Sequence, residues 1–313
     1  MPSRTDPDTT GVSPDDAFAT LGNEIRFEIV RRLGDADEPL SFSELRSAVD
    51  VRDSGQFNYH LDKLVGHFLR KTDEGYILRE AGERVVEAVL SGAVTEAPVM
   101  ESTPVDETCH YCGGPVVVRY SQEQVDVFCT ECTGAYGEVH ATGGVDIPEG
   151  YGWLGAMPLP PAGVDGRDAA DVLEAAFTLG QTEFVASSQG ICPRCSARTD
   201  RSMEACDEHE ADGGVCPNCE RRRSVMFAVE CTNCNYTTGG GVLQGLFAET
   251  EFLRFMTSHG LNPVNPDSVT AYLDAISEYD VVVHSRSPLE VEVRLTIEGD
   301  TYSRTIDDAF LDG

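Results

Sequence analysis

The chain has 313 residues, 41% of them hydrophobic, which is enough for packed cores in two or three domains. Its 54 acidic residues outweigh 23 basic ones, for a formal net charge of -31. That balance runs against the basic character usual in nucleic-acid binders, and no stretch approaches the roughly 18 apolar residues of a membrane-spanning helix.

Residues 1–12 read as a disordered tail. The opening MPSRTDPDTTGVSPDD is polar and acidic, without the apolar segment of a secretory signal, so a cytoplasmic location is expected. Asp15 to Leu21 and Asn23 to Leu33 read as two helices meeting at Gly22, with Asn23 as N-cap and Ile25, Ile29 and Leu33 as a one-sided apolar stripe. Ser41 and Glu44 form an S-x-x-E capping box that opens a short helix carrying Leu45 and Val49 on one side. Asp53 and Gln56 repeat that signal before a second helix, whose inner face is Phe57, Leu61 and Leu64. Gly66 is placed to end it. Phe68 to Thr72 and Tyr76 to Leu78 then read as strands around an Asp73-Glu74-Gly75 turn, and Ala81 to Leu90 as a closing helix. Helix, turn, helix, hairpin is the order of a winged helix-turn-helix domain, placed at 13–92.

The outward face of the second helix of that motif carries Ser54, Gln56, Asn58, Tyr59 and Lys63, side chains suited to base edges and phosphates. Arg70 and Lys71 lie on the hairpin, where backbone phosphates would pass. The plain alternative is a solvated polar face. His60 reads as structural.

Leu21-Gly22-Asn23-Glu24-Ile25-Arg26-Phe27-Glu28-Ile29-Val30 resembles the L-G-(D/N)-x-x-R-x-x-I-(L/V) helix junction of ArsR-type winged helix regulators. Ser43-Glu44-Leu45 and the stretch from Phe57 to Leu64 resemble that family's positioning and recognition helices. The resemblance covers under a third of the chain and implies a transcription regulator that binds double-stranded DNA, usually as a homodimer, with the last helix of the domain often in the dimer contact. One departure is plain: the family's metal sensors carry cysteines in or near the recognition helix, and here none precedes Cys109. The composition also resembles that of proteins from salt-loving archaea, because Lys63 and Lys71 are the only lysines. At about 1 M salt the screening length is roughly 3 Å, so distant acidic repulsion would be largely removed.

Residues 93–108 lack periodicity and read as a linker. Cys109-x2-Cys112 and Cys129-x2-Cys132, separated by sixteen residues, have zinc-site spacing, with strands Val116–Tyr120 and Val125–Phe128 between them. This predicts a zinc ribbon at 109–140, a closed four-thiolate set with no position left for a reactive water. His110 and His140 are read as non-ligands.

The remainder, 141–313, reads as a zinc-binding α+β domain. A helix runs from Asp168 to roughly Thr178. A cysteine cluster at 192–234 follows, with Cys192, Cys195, Cys206, His209, Cys216, Cys219, Cys231 and Cys234 as ligand candidates. Pairing neighbours in order would give one site from Cys192, Cys195, Cys206 and His209, and another from Cys216, Cys219, Cys231 and Cys234. Two rivals stand: Cys192/Cys195 cross-braced with Cys216/Cys219, or Cys206 as a free thiol and His209 as a surface residue. Either way the expected cofactor is Zn2+, with three structural sites counting the ribbon. Gly239-Gly240-Gly241 reads as a hinge or helix start before a helix from Val242 to His259, and Asp267 to Ile276 as another helix. Tyr279–Ser285, Leu289–Ile297 and Tyr302–Ile306 read as an antiparallel meander with a turn at Gly299-Asp300. Helices and meander together occupy 242–306.

The expected fold class is therefore α+β and multidomain: a winged helix-turn-helix, then zinc ribbons, then a small unit of helices on an antiparallel sheet. The expected function is a sequence-specific DNA-binding transcription regulator. The alternative is a zinc-stabilised adaptor that docks other proteins of the transcription machinery without binding DNA. No H-E-x-x-H, nucleophile elbow or P-loop pattern occurs, so no catalytic residue is assigned. The sequence does not disclose a small-molecule effector, the operator or the sign of regulation.

Overall fold

The computed structural model describes residues 12–137, 145–264 and 268–312. The tail at 1–11, His140 and Asp267 lie outside the described residues. The chain divides into two compact units, Met1–Glu96 and Ala97–Gly313.

The first unit is built from helices α1 (Pro14–Leu21), α2 (Glu24–Gly34), α3 (Phe42–Ala48), α4 (Ser54–Leu64) and α5 (Glu80–Leu90), with strands β1 (Leu69–Lys71) and β2 (Tyr76–Leu78) between the last two helices. Each of the first four helices starts where a side chain satisfies an otherwise orphaned backbone N–H. Ser13 and Asn23 cap α1 and α2. Ser41 and Glu44 complete both halves of the capping box on α3. Asp53 Oδ1 accepts the N–H groups of Gly55 and Gln56 at 2.7 and 2.9 Å on α4. Apolar faces from all these elements meet in one core, with Ile29, Leu45, Phe57, Leu61 and Leu69 fully buried and Ala17 and Leu21 of α1 packed at its edge. Phe57 stands edge-on to Phe42 at 5.1 Å. Gly75 is required in the hairpin, because a Cβ there would lie 2.4 Å from the Leu40 carbonyl oxygen.

The second unit holds three antiparallel sheets. The first consists of β3 (Met100–Thr108), β4 (Pro115–Ser121), β5 (Gln124–Cys129) and β6 (Gly152–Pro158), in that order. Much of the stretch read as a linker at 93–108 is thus an edge strand, and its Pro104 is tolerated because only β4 pairs with it. Gln122 and Glu123 both have positive φ, giving the tight two-residue turn between β4 and β5. Helix α6 (Ala169–Ser188) packs on this sheet through Val172, Leu173 and Ala176. It runs ten residues past the expected end at Thr178, since Phe184, Ser187 and Ser188 are also buried and extend its inner face.

The second sheet is β7 (Thr199–Ala205), β8 (Val225–Cys231) and β9 (Thr237–Gly241). The glycine run is therefore not a hinge or helix start but the end of a strand. Close neighbours demand its glycines: a Cβ at Gly239 would lie 2.5 Å from the Phe227 carbonyl oxygen, and one at Gly241 would lie 2.3 Å from the Tyr279 hydroxyl. The single helix expected at 242–259 is instead a 3₁₀ segment, Val242–Leu246, followed by α7 (Thr250–Ser258). Helix α8 (Val269–Ser277) is capped by Ser268. The third sheet is the expected meander of β10 (Tyr279–Arg286), β11 (Leu289–Ile297) and β12 (Asp300–Ile306). Its second turn is Glu298-Gly299, both at positive φ, one residue earlier than expected. A short α9 (Asp308–Asp312) follows β12. One core, including Phe227, Phe247, Phe252, Tyr272 and Val293, joins the second and third sheets to α6, α7 and α8.

Candidate metal centres and the exposed helix face

Among the described residues, three groups of four side chains have ligand atoms within 4.8 Å of one another. The first is Cys109, Cys112, Cys129 and Cys132, from the loop before β4 and the end of β5. The sulfurs of Cys109 and Cys132 are 3.7 Å apart, and those of Cys112 and Cys129 3.5 Å. Each sulfur accepts a backbone N–H from two residues onward: Tyr111, Gly114, Glu131 and Gly134 donate at 3.4 Å. Such hydrogen bonds stabilise thiolates without using the lone pairs a metal needs.

The other two groups correct the expected pairing. Cys192 and Cys195 join Cys231 and Cys234, while Cys206 and His209 join Cys216 and Cys219. The second set of ligands is nested inside the first along the chain, so neither pairing in order nor the cross-braced rival describes it, and Cys206 and His209 both belong to a group. The β7–β8 ladder explains this. Thr199 pairs with Cys231 at one end and Ala205 with Val225 at the other. Residues flanking opposite ends of a hairpin cannot share one ion, because seven residues of strand span roughly 20 Å. Cys192···Cys234 and Cys195···Cys231 close one end at 3.7 and 3.5 Å. At the other end His209 Nδ1 lies 3.5 Å from Cys219 Sγ, and the Nε2 on the far side of the ring faces the Arg222 carbonyl at 3.2 Å.

The electrostatics within each group are those of closely crowded sulfurs. The Cys195 thiol is brought down to about 6 by the Ala197 N–H and the Asn233 amide. Its neighbour Cys234 is pushed up to about 12: burial and the proximity of the other three thiols outweigh the opposing Tyr236 N–H. Cys216 sits at about 7, because the N–H groups of Glu210, Cys219 and Asn218 outweigh burial. Cys219 is pushed up to about 11, chiefly by burial. In the first centre, burial and the charges of Cys129 and Cys132 drive Cys109 upward. Cys195 and Cys216 thus form thiolates readily while Cys109, Cys219 and Cys234 resist, an imbalance that a bound dication would remove. His110 belongs to no group. Its ring lies on Tyr111, and burial followed by the Arg223 and Arg222 charges lowers it to about 4.

In the first unit, Ser54, Gln56, Asn58, Tyr59 and Lys63 on α4 and Arg70 and Lys71 on β1 are all exposed. Asn58 donates its amide N–H to Asp62 at 2.8 Å. Lys63 lies 5.7 Å from the Tyr59 ring centre and Lys71 5.7 Å from that of Tyr76. His60 is 8% exposed, so its place is structural. Across 52–71 the charges are Arg52, Lys63, Arg70 and Lys71 against Asp53 and Asp62, four minus two, in a chain of net -31. Arg222 was not singled out from the sequence; the only signal for it was the Arg221-Arg222-Arg223 run directly after a ligand pair.

Residues 14–89 match a family described as a domain of unknown function (DUF7347), and residues 106–310 match another described as a domain of unknown function (DUF7351). No curated protein and no solved structure matches the chain. No helix among the described residues is long and apolar enough to cross a membrane.

Proposed function

The chain belongs to the DUF7351 family, and from that premise we propose that it is a sequence-specific DNA-binding transcription regulator, cytoplasmic and homodimeric, whose second unit is held together by three structural zinc ions. The observation that carries this reading is the placement of the lysines. The protein has only Lys63 and Lys71, and both stand exposed on the helix and hairpin of the first unit, beside Arg70 and the amides of Gln56 and Asn58. The order of helices and hairpin supports a winged helix-turn-helix of ArsR type, with α4 in the major groove and β1–β2 along the phosphates. Self-association is supported by α1, which buries no residue, and by Phe18 and Leu90, which are 75% and 65% exposed. Four-ligand sets of thiolate and imidazole suit zinc and leave no position for a hydrolytic water, so the centres serve folding and the protein has no catalytic role.

The test is a gel shift with genomic fragments in molar potassium salt. The native protein retards a specific subset, and the Asn58→Ala, Lys63→Ala double variant releases it. A folded, metal-loaded protein that retards no fragment overturns the reading. The net charge of -31 then favours the adaptor alternative, a platform for other proteins of the transcription machinery.

A further inference from the structure

We infer that the first centre (Cys109, Cys112, Cys129, Cys132) and the mixed centre (Cys206, His209, Cys216, Cys219) load metal as a coupled pair, with Arg222 as the positioning residue that joins them. The inference rests on the reading that these groups hold metal.

Two segments make the junction. The strip after Cys132 lies beside the strip after Cys219. Tyr136 bridges to Arg221, and the Gly137 N–H donates to the Glu220 carbonyl at 2.8 Å. Arg222 sits at the centre and faces both ways. Toward the mixed centre, its carbonyl stands 3.2 Å from His209 Nε2. The proton of that ring therefore belongs on Nε2, donated to the carbonyl, and Nδ1, which faces the sulfurs, is the ligand atom. A histidine ligand fixed in this way by a backbone carbonyl is a general feature of metal sites, and loss of such a partner costs about 10- to 100-fold in affinity. Toward the first centre, the Arg222 N–H donates to Ala135 O at 2.9 Å and Nε donates to Gly134 O at 3.0 Å. Gly134 in turn donates its own N–H to Cys132 Sγ at 3.4 Å. The guanidinium also lies 4.1 Å from the centre of the Tyr111 ring, between the ligands Cys109 and Cys112, and donates to Gly213 O at 2.7 Å inside the mixed-centre loop.

One residue thus orders the knuckle behind Cys132, the knuckle around Tyr111 and the imidazole of His209. A metal that fixes His209 fixes the Arg222 carbonyl, and with it the backbone position from which the side chain holds the first centre. The Cys192, Cys195, Cys231, Cys234 centre lies at the opposite end of the β7–β8 ladder and has no part in the junction.

The experiment uses the full chain loaded with cadmium-113, in which each centre gives its own resonance, assigned by removing one ligand at a time. Retention at the first centre is then followed against a competing chelator. Cys216→Ser should weaken retention at the first centre about 10-fold, Arg222→Ala by a similar factor, and the double variant no further than either alone. Cys195→Ser should leave the first centre unchanged. The surviving Cys192–Cys234 resonance reports that the unit is folded. Where Arg222→Ala loses that resonance too, the Cys216→Ser and Cys195→Ser arms decide alone. Retention unchanged in Cys216→Ser, independent multiplying losses in the double variant, or equal weakening by Cys195→Ser overturns the coupling while leaving the metal reading intact. A native chain that takes up no cadmium overturns both.

Discussion

If the first unit binds DNA as proposed, replacing Lys71 by alanine should change how that affinity responds to salt, by an amount the geometry sets. Lys63, Arg70 and Lys71 are exposed on one helix and strand, and none enters an ion pair among the described residues. Each is therefore available to a phosphate. A dimer would present six such cations, and at about -0.9 per neutralised phosphate the logarithmic salt slope is about -5.4. Removing Lys71 from both subunits leaves four contacts and a slope of about -3.6. Over a fourfold rise in potassium chloride, the native dimer would lose about a thousandfold in affinity and the variant about a hundredfold. Lys71 lies beside Tyr76 on the hairpin surface, so its loss should leave the fold intact. The assay is fluorescence anisotropy with a labelled operator fragment across a salt series, with hydrogen exchange confirming that α4 and the hairpin remain protected. Equal slopes for the two proteins, at any affinity, would refute the placement of the hairpin on the DNA backbone.

Four further outcomes follow from the packing and the ionisable groups. Phe57→Ala should destabilise the first unit by about 3–5 kcal/mol, because its ring is fully buried, whereas Tyr59→Ala, 57% exposed on the same helix, should leave α4 exchange protection unchanged and act only on DNA affinity. Gly152→Ala would place a Cβ 2.1 Å from the Cys132 carbonyl oxygen and should displace that knuckle, lowering metal retention at the first centre. Gly180→Ala on α6 meets its nearest atom at 3.6 Å and should stabilise the second unit by about 0.5–1 kcal/mol, read as a raised melting temperature. Burial, then the charge of Arg26, holds the His60 imidazole below its ordinary 6.5. The unfolded chain therefore takes the proton first, so this contribution to stability is complete above pH 6.5 and declines as the pH falls below it. Hydrogen exchange of α4 should show that decline, and His60→Leu should flatten it.

The first unit was legible because its signals are local. Ser41 with Glu44, Asn23 and Asp53 each announce a helix start within three residues, and Phe57, Leu61 and Leu64 repeat at helical spacing. The second unit hid what depends on distant neighbours. β3 is a polar edge strand in which no residue is fully buried and half-buried positions alternate with exposed ones. β6 contains Gly152 because the Cys132–Gly134 backbone passes against it, and β9 ends in glycines because Phe227, Gln244 and Tyr279 crowd it. In both, glycine signals close approach, though by composition it resembles a loop. All twelve ligand candidates were found from their x2 spacings and all fall in groups, but spacing says nothing of which pairs share an ion. That was decided by the register of β7 on β8, which joins residues across a long insertion. The seven residues proposed for DNA contact are all on the surface, where exposure alone does not distinguish a reader of bases from a solvated face.

A hairpin clasped at both ends is protected against exchange of partners between molecules. Sliding β7 by one residue would turn every side chain to the opposite face and draw Cys195 and Cys206 away from their sets in the same movement. With metal bound at both ends as proposed, a strand arriving from another copy could replace β7 only if it delivered both sets of ligands at the correct separation, after both ions had been released. A chain with so few lysines to guard its sheet edges thereby gains an obstacle to domain swapping that does not depend on surface charge, and that obstacle persists at salt concentrations where surface charge no longer repels.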